Sequence, residues 1–104
     1  MILEHALLPV KPGQGADFER AFATARDIIS AMPGFRHLSL SRCLERPAGY
    51  LLLVEWDRIE DHTVGFRGSP AYEDWRALLH PFYDPFPVVE HYVTVLTAEP
   101  QEAP

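Results

Sequence analysis

Residues 50–56 read Tyr50-Leu51-Leu52-Leu53-Val54-Glu55-Trp56, a run of strand formers that follows the turn residues Arg46-Pro47-Ala48-Gly49. Successive side chains of a strand point to opposite faces, so Leu51 and Leu53 share one face and Tyr50, Leu52, Val54 and Trp56 the other. Both faces are apolar. Helices covering a sheet on one side account for only one of them. The other calls for a second sheet, and a chain of 104 residues obtains one most simply from another copy of itself. On this reading Leu52 and Val54 lie on the face left open to the partner copy.

Upstream, Phe35 to Glu45 alternates, with Leu38, Leu40 and Leu44 on one side and His37, Ser39, Ser41 and Cys43 on the other. It pairs with residues 50–56 as an antiparallel hairpin. Arg36 and Arg42 share the leucine face and are expected to reach the sheet edge or to meet carboxylates across a dimer. Cys43 reads as a small buried apolar residue. Before the hairpin, Phe18, Ala21, Phe22, Ala25, Ile28, Ile29 and Met32 recur at three- and four-residue steps from Gly15 onward, which predicts an amphipathic helix ended by Pro33-Gly34. Ile2 to Val10 reads as a first strand.

Downstream, residues 59–67 fit a short helix closed by Gly68. Ser69 is placed as an N-cap, with Pro70 at the first helical position and Glu73 and Asp74 in the opening turns, and this second helix runs to about Pro81. Val88 to Leu96 reads as the last strand. The order strand, helix, strand, strand, broken helix, strand predicts an α+β fold, the ferredoxin-like βαββαβ arrangement with a four-stranded antiparallel sheet. Residues 1–97 form the domain, and the polar, proline-bearing residues 98–104 a flexible C-terminal tail.

Composition narrows the function. Nine Lys and Arg against fifteen Asp and Glu give a net charge of −6 without a basic run, so neither nucleic acid nor an anionic membrane surface is expected as a partner. The longest apolar run, Leu51 to Val54, is far short of a membrane span, and the N-terminus lacks a basic segment followed by an apolar one, so a cytoplasmic protein is expected. Cys43 is the single cysteine, and the five histidines (His5, His37, His62, His80, His91) show no helical or strand spacing suited to a metal, so no metal site is expected. Gly-rich phosphate loops, His-Glu-x-x-His and Gly-x-Ser-x-Gly are all absent.

Seven of the twelve aromatics fall between residues 66 and 92. Two readings of that stretch stand side by side. Tyr72, Trp75, Leu79 and Phe82 at steps of three and four form a core stripe, or Phe66, Tyr72 and Trp75 line a cleft into which His62, Arg76, His80 and Tyr83 bring polar tips. His62 follows Glu60 and Asp61 and reads as a surface residue or a pocket base; His80 and His91 read as polar groups at element ends or as ligand contacts.

The sequence Leu51-Leu52-Leu53-Val54-Glu55-Trp56, a short helix, and then Phe66-Arg67-Gly68-Ser69-Pro70-Ala71-Tyr72 resembles the antibiotic biosynthesis monooxygenase family, whose members read strand–Trp, short helix, Ser-Pro, aromatic. The resemblance implies a dimeric α/β barrel, in which two ferredoxin-like sheets pack face to face. It also implies oxidation of a small aromatic molecule of anthrone or quinol type by molecular oxygen, with no metal or flavin cofactor. Two departures matter. Many members carry His three residues before the Ser of the Ser-Pro pair, where this chain has Phe66. The haem-degrading branch has an Asn in its first strand that falls at His5, and a haem-ligand His that falls near Trp75-Arg76, which disfavours haem. On this reading His62 or His80 serves as the base, Tyr83 or Arg76 partners the oxyanion, and Phe66, Tyr72, Trp75 and His91 contact the substrate. The alternative is a non-catalytic dimeric α/β-barrel module that binds a small hydrophobic metabolite.

Overall fold

Four strands and two principal helices make up the computed structural model, which describes residues 1–102. Strand β1 (Ile2–Pro9) leads to helix α1 (Gly15–Ile29), the hairpin β2 (Phe35–Arg42) and β3 (Gly49–Trp56), a one-turn π-helical segment (Asp61–Phe66), helix α2 (Pro70–Leu79) with a 3₁₀ turn (His80–Phe82), and β4 (Val89–Tyr92). The antiparallel sheet is ordered β2-β3-β1-β4, the ferredoxin-like topology expected from the element order. No helix of the described residues is long and apolar enough to cross a membrane.

Both helices lie on one face of the sheet. Phe18, Phe22, Ala25 and Ile29 form the buried stripe of α1, and Trp75 and Leu79 that of α2. Beneath them sit Glu4, Ala6 and Leu8 of β1 and Tyr50, Leu52, Val54 and Trp56 of β3, all buried. Leu52 and Val54 therefore face the helices, which corrects the expectation that they form the open face. Strand parity was right and its direction inverted: Leu51 and Leu53 lie opposite, in the same layer as Leu3, His5 and Leu7, the last 57% exposed.

Two strands are shorter than the sequence pattern predicts. The β2–β3 ladder closes at the bond from Cys43 N–H to the Gly49 carbonyl, 2.8 Å, so Leu44 falls in the connecting loop and is 91% exposed, while Cys43 is only half-buried. In β4 the register pairs Tyr92 with Leu3, so the chain runs past the start of β1 within two further residues. Val95 and Leu96, expected in the strand, are 85% and 88% exposed. Residues 93–102 carry no regular structure, and the end of the expected 98–104 tail lies outside the described residues.

The arginines of β2 pair with carboxylates of their own chain. Arg42 donates to Glu19 of α1 at 2.6 Å, and the same carboxylate oxygen accepts the Tyr50 hydroxyl at 2.6 Å, which ties helix to sheet; Arg36 pairs with Asp57.

Candidate functional site

A single turn of unusual width carries the first element of the site. Between Asp61 and Phe66 the backbone bonds from i+5 to i, as in Arg67 N–H to the His62 carbonyl at 3.1 Å, and such π turns inside helical segments recur at functional sites. The widened turn aims both His62 and Phe66 inward. Asp61 anchors its start by accepting the Arg58 backbone N–H at 3.0 Å, and Gly68 sets its exit, where a Cβ would meet the Val64 carbonyl at 2.5 Å. The next helix begins as the sequence predicts: the Ser69 hydroxyl accepts Tyr72 N–H at 3.3 Å, with Pro70 at the first position.

His62 stacks on the Trp56 indole, with centroids 5.5 Å apart and planes 17° from parallel. Glu4, on the helix side of β1, accepts the Trp56 Nε1–H at 3.0 Å, and the same oxygen lies 3.4 Å from His62 Nε2. On the other side of the ring, His62 Nδ1 is 2.7 Å from His91 Nε2 of β4. One tautomer set satisfies the whole chain: the Glu4 carboxylate faces His62 Nε2–H, and His62 Nδ1 accepts the His91 Nε2–H. Glu4 is 4% exposed and His62 3%.

Burial governs the protonation of this chain. It pushes the Glu4 carboxyl up, against the lowering effects of the Trp56 hydrogen bond and the Arg67 charge. It drives His62 down to about 3, helped by the charges of Arg67 and His91, so His62 is neutral throughout the physiological range. His91 is lowered by burial and by Arg67.

The inner edge of this chain opens on a cavity of about 390 Å³, within the size range of small-molecule sites. Phe66, Tyr72, Trp75, Tyr83 and Phe86 give its aromatic walls, over a floor of Ala6, Leu8 and Leu52, while Glu4, His62, Arg67 and His80 supply its polar and charged groups. The walls interlock edge to face: Phe66 with Tyr72 at 5.3 Å and with Trp75 at 5.5 Å, and His80 with Phe86 at 4.8 Å. Burial, then the Arg76 charge, lowers His80, and no protein hydrogen bond contributes. Burial likewise pushes the Tyr83 phenol up, so it keeps its proton at neutral pH. A second hollow of about 370 Å³ lies at the far end of the hairpin, lined by Leu7, Ser41, Cys43, Arg46 and Leu51. Volume does not separate the two; the two histidines and the carboxylate in the lining of the first do.

Of the residues singled out from sequence, His62, His80, Tyr83, Phe66, Tyr72 and Trp75 all line the cavity. Arg76 does not: it lies on the outer side of α2, paired with Glu73 at 3.2 Å. His91 stands behind His62 and reaches the site only through that ring. Glu4, Trp56, Arg67 and Phe86 were missed. Arg67 carried no signal; Glu4 did, being a carboxylate in step with Ala6 and Leu8 on an otherwise apolar strand face, as did Trp56 in the family pattern and Phe86 among the aromatics concentrated between residues 66 and 92. Among the described residues no group of three His, Cys, Asp or Glu side chains is arranged to hold a metal ion.

A family model described as antibiotic biosynthesis monooxygenase matches residues 1–78, the span that holds Glu4, Trp56, the π turn and Trp75. The chain belongs to this family. The Bacillus subtilis (strain 168) protein YczJ, itself uncharacterized, is 55% identical over 95 residues, covering 91% of this chain and all of its own. A Bordetella bronchiseptica structure described as an antibiotic biosynthesis monooxygenase is 37% identical, with a TM-score of 0.87 over 91% of this chain and 97% of its own. A variant of SnoaB, a cofactor-independent oxygenase from Streptomyces nogalater, has a TM-score of 0.81 over 92% of this chain and 94% of its own; at 18% identity the likeness is one of fold. His80, Tyr83 and Phe86 of the cavity lining lie beyond the span of the family match.

Proposed function

We propose that this family member is a cofactor-independent monooxygenase acting on a small aromatic substrate of anthrone or quinol type. The observation that carries the reading is the neutral His80 imidazole, free of protein hydrogen bonds, in an aromatic-lined cavity beside the protonated Tyr83. His62 is less suited to receive a proton from substrate, because both of its ring nitrogens already face Glu4 and His91. In this reading His80 takes the acidic proton of the substrate, and the Tyr83 hydroxyl stabilises the oxyanion that forms. The electron-rich anion passes one electron to O2, and the resulting radical and superoxide combine through a new C–O bond. The peroxide recovers the proton from His80, and cleavage of its O–O bond with loss of water leaves a carbonyl. One oxygen atom enters the product and the other leaves as water, so a CH2 group and O2 become C=O and H2O.

Family membership also supports a homodimer in which the open sheet face around Leu51 and Leu53 is covered by the second copy, as in a dimeric α/β barrel. The activity is tested by oxygen uptake with purified, metal-stripped protein and a panel of anthrones and hydroquinones, corrected for autoxidation. Uptake above background that survives chelator is expected, falling about 10²–10⁴-fold in His80→Ala and less than about twofold in Arg76→Ala. Background uptake across the panel overturns the oxygenase reading in favour of a binding module, and full activity in His80→Ala removes the base assigned to it.

A further inference from the structure

Six of the chain's eight arginines sit in ion pairs: Arg20 with Asp17, Arg26 with Asp27, Arg36 with Asp57, Arg42 with Glu19, Arg58 with Asp61 and Arg76 with Glu73. Arg67 has no carboxylate within 4 Å among the described residues, and it alone of the cationic side chains borders the aromatic cavity. Its position is built into the turn, since its own N–H closes the wide bond to His62 and Gly68 fixes the chain just after it. Among the described residues Glu4 is the one carboxylate lining the cavity, and it is already engaged by Trp56 and His62. The Tyr83 phenol and the lowered imidazoles of the lining are neutral at physiological pH. An aromatic-walled cavity thus carries one guanidinium without a carboxylate partner on its border and a buried acid in its lining.

We infer that the cavity is selective for an aromatic acid, a flat ring system bearing a carboxylate that Arg67 pairs with while the rings lie among Phe66, Tyr72 and Trp75. The guanidinium is suited to the task, because its planar fork meets a carboxylate through two parallel N–H donors and stays charged at any working pH. The same pairing fixes orientation. With the carboxylate held at Arg67, the uncharged end of the ring system is left for His80 and Tyr83, and a second anionic group is disfavoured by Glu4. This inference deepens the proposed function by naming the substrate class, and it rests on the aromatic-cavity part of that reading and not on the oxygen chemistry.

The test compares 2-naphthoate with 2-naphthamide, the same rings with and without the charge, by titration calorimetry on wild type, Arg67→Gln and Arg67→Lys. Wild type is expected to bind naphthoate about tenfold more tightly at low salt, with the preference shrinking as salt is raised. Arg67→Gln is expected to lose the preference while keeping the affinity for the amide, and Arg67→Lys to keep part of it. Equal affinity of the two probes for wild type overturns the inference, as does an unchanged preference in Arg67→Gln. Should Arg67→Gln fail to fold, the wild-type salt dependence and Arg67→Lys still decide. Binding of neither probe overturns this inference together with the aromatic cavity. A carboxylate preference without oxygen uptake leaves it standing and removes only the oxygenase.

Discussion

Substituting His62→Gln removes a titration that the fold suppresses, and the effect on stability has a definite sign and size. In the unfolded chain His62 takes up a proton near pH 6.5; in the folded protein its pKa is lowered to about 3. A histidine whose folded pKa is depressed binds more protons when unfolded, so stability is full above pH 6.5 and falls as pH drops toward 3. Between pH 7 and pH 5 that single group costs about 2 kcal/mol, at about 1.4 kcal/mol per pH unit below its unfolded pKa. Glu4 acts with the opposite sign, since its raised pKa lets the folded form take a proton first, but it is present in both proteins, as are His80 and His91. Glutamine retains an N–H for Glu4 and lacks the titration. Urea unfolding followed by tryptophan fluorescence, at pH 7 and pH 5 and at one protein concentration, measures the difference. Wild type is expected to lose about 2 kcal/mol more than the variant over that interval. Parallel losses, within about 0.5 kcal/mol, refute the placement of His62 as a buried neutral link.

Two further outcomes follow from the same geometry. Trp56→Phe takes away the N–H that Glu4 accepts at 3.0 Å and leaves a buried carboxylate short of a donor, at a cost of about 1–3 kcal/mol beyond the lost packing; adding Glu4→Leu to that variant is expected to recover part of the loss in a double-mutant cycle by chemical denaturation. Leu53→Asp puts a charge into the open sheet face, and light scattering is expected to find the wild type as a dimer and the variant as a monomer, so a monomeric wild type at micromolar concentration contradicts the covering copy.

The fold was largely legible because its signals are local. The Ser69-Pro70 cap, the stripe from Phe18 to Ile29 and the two-sided apolarity of residues 50–56 each declare an element within a few residues of chain. What failed was relational. Which side of β3 the helices cover is settled by where α1 and α2 pack, and parity alone cannot choose between Leu52 and Leu53. The site divides the same way. Aromatics at helical steps betrayed a cavity wall, but the His62–His91 bond joins residues 29 apart and exists only because β4 pairs with β1 while the π turn packs above it. Arg76 follows Trp75 in sequence, yet neighbours on a helix point about 100° apart, and Arg76 turns outward to Glu73. Arg67 has no sequence signal at all; its place depends on a turn of a width that local propensity does not announce.

Strand β4 holds the sheet edge with four residues, and one of its side chains is the His91 that meets His62. Short edge strands belong to the least protected parts of a fold, opening and reclosing at a free-energy cost well below global unfolding. Here each such opening breaks the histidine link as well, and whatever occupies the cavity and steadies His62 makes the opening rarer by mass action. The exchange of the Val89–Tyr92 amides with solvent deuterium is therefore a built-in gauge of occupancy, reading the state of the cavity from the sheet's own border without any label on the ligand.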